Sequence, residues 1–136
     1  MMDLGHWICT VPWCESAYGF VYVITNNAIG KRYIGKKQMQ TVKKRLPLKG
    51  RKNKRHQVIE TDWREYTSSS NELNSDIAKF GKEHFVFEII RFCDSKSELA
   101  YYEAKEQFDK EVLLRDDYYN GIINLRIGKI KKVAKR

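Results

Sequence analysis

The chain has 136 residues, 42% of them apolar and 12% aromatic, which suits one folded domain with a modest core and excludes a disordered polyelectrolyte. Lysine and arginine number 26 against 17 acids, a formal charge of +9, so the expected partner is a polyanion: nucleic acid first, an anionic membrane surface second. No stretch is long and apolar enough to span a bilayer, no basic segment followed by an apolar one opens the chain, and three cysteines make no disulfide scaffold, so a reducing cytoplasm is the expected setting.

The charge is unevenly placed. Residues 16 to 59 hold no acid, residues 31 to 55 carry twelve of the basic side chains, and residues 126 to 136 carry six more. Solvated charge is common, but a long stretch without compensating acid marks an electrostatic footprint. Cys9 and Cys14, with His6 nearby, have the composition of half a metal site. Their spacing is not a tight knuckle, no second pair follows and Cys93 stands alone, so structural zinc is not expected.

In chain order, residues 1 to 18 contain Trp7 and Trp13 and read as an arm packed over the domain. Phe20 to Thr25 is apolar and β-branched and reads as a strand. Asn26-Asn27-Ala28-Ile29-Gly30 is turn chemistry, and Lys31 to Lys36 returns as the second strand of a hairpin. Alternation puts Tyr33 and Gly35 on one face, Arg32 and Ile34 on the other. Residues 38 to 66 read as a basic insert. Pro47 and Gly50 make residues 38 to 56 a loop or a short helix plus loop, and 57 to 66 a helical turn or two.

Ser68-Ser69-Ser70 then introduce a helix over Asn71 to Phe80, with Leu73, Ile77 and Phe80 at helical spacing and Gly81 as terminator. Phe85 to Phe92 is the third strand. Ser95-Lys96-Ser97-Glu98 has the form of a capping box and opens a helix to about Leu114, with Tyr101, Ala104, Phe108 and Val112 as its core stripe. Residues 116 to 121 form a turn, 122 to 127 a short final strand, and 126 to 136 a basic tail. The order predicts an α/β (α+β) domain over residues 19 to 125: a small central antiparallel three-stranded sheet flanked by helices.

Phe20-Val21-Tyr22 and, eleven residues on, Tyr33-Ile34-Gly35 resemble the paired tripeptides of the GIY-YIG nuclease superfamily. Phe20 stands where the family has glycine. The stretch from Ser69 through Lys79-Phe80-Gly81-Lys82-Glu83-His84-Phe85 to Ile90 is similar to the middle of the phage-type homing endonucleases, and Tyr119-Asn120 looks like a later paired motif of the family.

The resemblance implies a metal-dependent endonuclease that hydrolyses DNA phosphodiester bonds and leaves a 5′-phosphate and a 3′-hydroxyl. Its Mg²⁺ (or Mn²⁺) would be held by one helix glutamate. Glu103 and Glu106 both fit, and being three apart they share a helix face that geometry alone does not divide. The local pattern Leu99-Ala100-Tyr101-Tyr102-Glu103 favours Glu103. The family reading makes one tyrosine a base for water and the other an orienting group, with Tyr22 taken as base and Tyr33 as partner. A phenol of pKa about 10 needs a nearby cation for that role. Gly35 would permit close approach, and Asn120 would support the site by hydrogen bonding.

The family's phosphate-neutralising arginine has no direct counterpart. Lys43 occupies its offset, followed by Lys44 and Arg45. Arg45 is taken first, with Lys37, Arg55 and Arg64 as alternatives. Lys36, Lys37, Lys43, Lys44, Lys49, Arg51, Lys52, Lys54 and Arg55 are expected to contact DNA, expected to be double-stranded. His56 shares that basic stretch, while His84 is expected to pack or cap. A phage origin would make the cytoplasm that of a bacterial host. Two other readings stand: a non-catalytic nucleic-acid-binding module on the same fold, and a basic structural protein whose tyrosines are merely core.

Overall fold

The computed structural model describes residues 3–14, 16–45, 49–50 and 55–130, with the main chain alone at 43–45 and 55–56. Six strands form: β1 (Trp7–Cys9), β2 (Gly19–Asn26), β3 (Lys31–Gln38), β4 (Gln40–Arg45), β5 (Arg55–Glu60) and β6 (Phe85–Cys93). Helix α1 spans Asn71–Phe80 and α2 spans Lys96–Asp109. One sheet has the order β1-β6-β2-β3, and β4 pairs with β5 in a separate ribbon. No helix among the described residues is long and apolar enough to cross a membrane.

The α+β class holds, but the sheet is mixed and four-stranded where three antiparallel strands were expected. The difference is β1, which pairs parallel to β6, Trp7 opposite Phe87. A three-residue strand has no periodicity to read; its place is set by Trp7. That indole is buried, donates to the Trp63 carbonyl at 2.5 Å, and packs edge-on against Phe20 and Phe87. The β2–β3 hairpin follows the expected turn, with Gly30 at φ 72°.

The basic insert departs further from expectation. Residues Gln40–Arg45 and Arg55–Glu60 form an antiparallel ribbon, not a loop or helix. Thr41, Val42, Val58 and Ile59 are the β-branched residues that favour it. A 3₁₀ turn at Trp63–Glu65 is what remains of the expected helical turns.

Both helices begin as their caps dictate. The Ser70 hydroxyl accepts from the Leu73 amide at 3.3 Å, and Gly81 closes α1 at φ 95°. The Ser95 hydroxyl accepts from the Glu98 amide, and Glu98 reaches back to the Asp94 amide, each at 3.1 Å. Helix α2 stops at Asp109, with a 3₁₀ turn at Val112–Leu114. Its core stripe is half the expected one: Ala104 and Val112 are buried, but Tyr101 and Phe108 are 45% and 55% exposed, and Leu99 and Gln107 are buried in their place. Residues 122–127 form no strand.

The reason lies at the open edge of β3. An edge strand presents a row of unpaired amides and carbonyls that must be covered. Residues 117–120 run alongside it in parallel, with a bridge between Arg32 and Tyr118. The Arg32 amide donates to the Asp117 carbonyl at 2.9 Å and the Tyr119 amide to the Arg32 carbonyl at 2.7 Å. At Ile34 the Asn120 side chain takes over: its Oδ1 accepts from the Ile34 amide at 3.0 Å, and its Nδ2 donates to the carbonyl at 2.8 Å. Gln107 of α2 donates to the same carbonyl at 3.0 Å. Helix α2 therefore buries a polar side chain that hydropathy alone would place outside.

Two apolar clusters sandwich the sheet. Trp7, Phe20, Tyr22, Ile24, Trp63, Leu73 and Ile89 fill one, and Val21, Ile34, Leu99, Val112 and Tyr118 the other. Each large side chain fully buried here contributes about 2 kcal/mol. Asn120→Ala leaves the buried Ile34 amide unpaired and should cost about 2 kcal/mol in a urea melt. Gln107→Ala leaves that carbonyl its bond from Asn120 and should cost less.

Candidate active site

The hairpin register puts Tyr22 opposite Gly35 and Ile24 opposite Tyr33, so both tyrosines project from the same face as the bare Cα of Gly35. A Cβ on Gly35 would lie 2.5 Å from the Tyr22 hydroxyl and 2.8 Å from the Tyr33 ring. The glycine is required because the Tyr22 side chain crosses it towards the sheet edge. The two rings are 6.2 Å apart, and Tyr66 meets Tyr22 edge-on at 6.4 Å.

Glu103 arrives from α2. Leu99, Glu103 and Gln107 are spaced four apart and form one row facing the β3 edge. Gln107 bonds Ile34, one residue before Gly35, and the Glu103 side chain, 18% exposed, lies 3.7 Å from Lys36 Nζ. Glu106 is turned away. It pairs with Lys110 at 3.6 Å and lines a groove of about 410 Å³ with Val21, Arg32, Tyr102 and Tyr118. The two glutamates that spacing could not separate thus point to different places.

Burial raises Glu103 above the usual carboxylate range, with Lys36 opposing. Tyr22, 1% exposed, is held well above its ordinary value by burial, with Tyr33, Tyr66 and Glu103 adding to the shift. Tyr33 is half-buried and raised less; a side-chain hydrogen bond with Ser69 works against burial. Three groups that become anions on ionisation are thus crowded in a poorly solvated corner. Among the described residues no three of His, Cys, Asp and Glu gather. One carboxylate suffices for an ion that keeps most of its water, as Mg²⁺ does.

Asn120 meets Ile34 at the same edge. Of the basic residues, Lys36 and Lys37 flank Gly35 on opposite faces: Lys36 pairs with Glu103, Lys37 with Asp62 at 2.8 Å. Lys43, Lys44, Arg45 and Arg55 belong to the far half of the ribbon, and Lys49 is exposed near its end. The side chains of those four and of His56, and all of Arg51, Lys52 and Lys54, lie outside the described residues. Arg45 is the last residue of β4 and pairs with Arg55 at the end of the ribbon away from Gln40. Arg64 is engaged elsewhere, donating to the Asp3 carbonyl, pairing with Glu60 and covering Trp63.

Sequence reading missed Tyr66 and Ser69 as neighbours of the tyrosines, and Asp62 as the partner of Lys37. Asp62 and Tyr66 lie at the end of the stretch read as a basic insert, and Ser69 just past it, in a segment with no pattern of its own. Phe20, where a glycine was expected, is fully buried between Trp7, Trp63 and Phe92.

The candidate site is thus a sheet edge carrying two tyrosines across a bare glycine, faced by one helix glutamate, within a basic domain. A family profile described as "Putative endonuclease segE, GIY-YIG domain" matches residues 7–123, and the chain belongs to that GIY-YIG family. Membership points to a nucleic-acid substrate. No curated protein and no solved structure matches the chain.

Because the folded-state pKa of Glu103 lies above the unfolded one, its contribution to stability is fully present below the ordinary carboxylate range and lost as pH rises through the raised value. Glu103→Gln should therefore melt higher than the parent near neutral pH, with the gap closing below about pH 4. The partly exposed pair with Lys36 offsets little of this. Thermal melts across pH check the trend.

Proposed function

We propose that the protein is a metal-dependent endodeoxyribonuclease that hydrolyses phosphodiester bonds of duplex DNA at the Tyr22, Tyr33 and Glu103 cluster. The observation that carries the reading is Glu103 beside two tyrosines that share the face of a glycine no other residue could replace without displacing Tyr22. Glu103 would hold Mg²⁺ or Mn²⁺, which when bound neutralises charge on the phosphoryl oxygens and acidifies water.

The tyrosines divide the proton work by exposure. Tyr33 is the one solvent reaches, and its Ser69 hydrogen bond favours the phenolate. Burial still holds it above its ordinary value, so it must first lose its own proton to solvent; as the phenolate, favoured by a cation at Glu103, it would accept the proton of the attacking water. Tyr22, buried and held protonated, donates its hydroxyl to orient that water or a phosphate oxygen. This reverses the division first drawn from the resemblance. Asn120 acts through Ile34, keeping the β3 edge straight where Gly35 meets substrate. Attack at phosphorus with departure of the 3′-oxygen leaves a 5′-phosphate and a 3′-hydroxyl.

Lys36 and Lys37 at the site, with Lys43, Lys44, Arg45, Lys49, Arg51, Lys52, Lys54 and Arg55 of the insert, supply the charge for the DNA backbone. Such contacts are sequence-independent and salt-sensitive. A two-stranded ribbon is also narrow enough to enter a major groove.

Purified protein should nick supercoiled plasmid only with Mg²⁺ or Mn²⁺. Glu103→Ala should abolish nicking, while Glu106→Ala should leave most of it. Binding without cleavage in any divalent metal would favour the non-catalytic module. Neutralising Lys49, Arg51, Lys52, Lys54 and Arg55 together should weaken DNA binding and flatten its log–log salt slope by at most about 0.9 per phosphate contact removed. Filter binding across salt concentrations measures that slope.

A further inference from the structure

We infer that Lys37 is the side chain that neutralises the scissile phosphate, in the role the family gives to an arginine, with Asp62 and Tyr66 holding it ready. The inference rests on the nuclease reading above and assigns a specific residue within it.

The argument begins with register. Phe20, Tyr22 and Ile24 face Lys37, Gly35 and Tyr33 in turn, so Lys37 projects from the same side of the sheet as both tyrosines, and Lys36 from the other. The Lys37 ammonium sits 4.0 Å from the centre of the Tyr66 ring, and that ring is 6.4 Å from the Tyr22 ring. The Lys37 side chain is 18% exposed, so its position is defined by packing, while its partner Asp62 is 65% exposed.

An ion pair with so exposed a carboxylate is held weakly and can be exchanged. A phosphodiester oxygen arriving over Gly35 can replace Asp62, while the ring of Tyr66 keeps the ammonium in place. The position of Tyr66 is fixed in turn from the N-terminal segment, where the His6 ring and the Tyr66 carbonyl are 2.9 Å apart. The other cations are worse placed. Lys36 is engaged with Glu103, the residue the metal would need, Arg64 is tied to Asp3 and Glu60, and Arg45 belongs to the far end of the ribbon. A lysine presents a point charge where arginine presents a fork, which suits one phosphoryl oxygen and not two.

Plasmid nicking in Mg²⁺ over a range of DNA concentrations tests this with the full chain. The set comprises the parent, Lys37→Gln, Lys37→Arg, Asp62→Asn and Glu72→Gln, each with a thermal melt. Lys37→Gln should lower kcat by about 100-fold, with KM changed less than about threefold. Lys37→Arg should recover most of that loss. Asp62→Asn removes the ion pair but not the cation and should cost less than about tenfold. Glu72→Gln breaks a surface pair with Lys31 away from the site and should nick like the parent.

A parent that nicks while Lys37→Gln nicks equally fast overturns the assignment and leaves the nuclease standing. Equal losses in Lys37→Gln and Asp62→Asn, matched by equal falls in melting temperature, would make the lysine a structural tie and also overturn it. A parent that does not nick in any divalent metal overturns both.

Discussion

Everything at the candidate site depends on the missing side chain at position 35. Tyr22 crosses that space, and a single added carbon would meet its hydroxyl. The same bare stretch of β3 lets Glu103 approach from the opposite face, because α2 is held against the edge by Gln107 and the following loop by Asn120. The edge is thus sealed up to Ile34 and again at Gln38, whose carbonyl accepts from the Thr61 hydroxyl at 2.6 Å, with Gly35 between them. Hydrogen bonding decides where the backbone is covered, and what is left uncovered is where chemistry can occur. The fold and the site are two consequences of one constraint, the need to satisfy the amides and carbonyls of an edge strand.

The site is also a place where the fold carries unfavourable charge. A half-buried carboxylate, a buried phenol and a half-buried one share this corner, and burial first, with mutual repulsion adding at the phenols, shifts each away from ionisation. Aromatic packing behind the sheet offsets this. Phe20 belongs to that packing: it joins Trp7 and Trp63 and ties the N-terminal strand to the segment leading to Tyr66. Its departure from the tripeptide pattern changes the core and leaves the Tyr22 hydroxyl where Gly35 admits it. The parallel strand β1 is the other half of that exchange, since Trp7 needs Phe20 and Phe87 as neighbours.

Local signals in the chain were legible wherever one residue type had one use. The turn from Asn26 to Gly30, the serine caps at Ser70 and Ser95, the Gly81 stop and the strand from Phe85 all appear where their chemistry puts them. Three features were not legible, each for a physical reason. Strand β1 is specified by partners some eighty positions away, Trp7 against Phe87. The ribbon is masked by its charge, because Lys43, Lys44 and Arg45 after Thr41-Val42, and Arg55 before Val58-Ile59, obscure the β-branched pattern. Half the expected stripe of helix α2, Ala104 and Val112, is buried, but the helix faces a sheet edge and buries Gln107 for hydrogen bonding, leaving Tyr101 and Phe108 outside. The same edge separates Glu103 from Glu106, a distinction that a spacing of three hides.

The most direct test of the account is a Mn²⁺ titration followed by electron paramagnetic resonance, on the parent, Glu103→Gln and Glu106→Gln without DNA. The account predicts a bound-ion signal in the parent that is lost in Glu103→Gln and kept in Glu106→Gln, since only the first carboxylate lies with the tyrosines at Gly35. Equal binding by all three, or loss in Glu106→Gln alone, would contradict it.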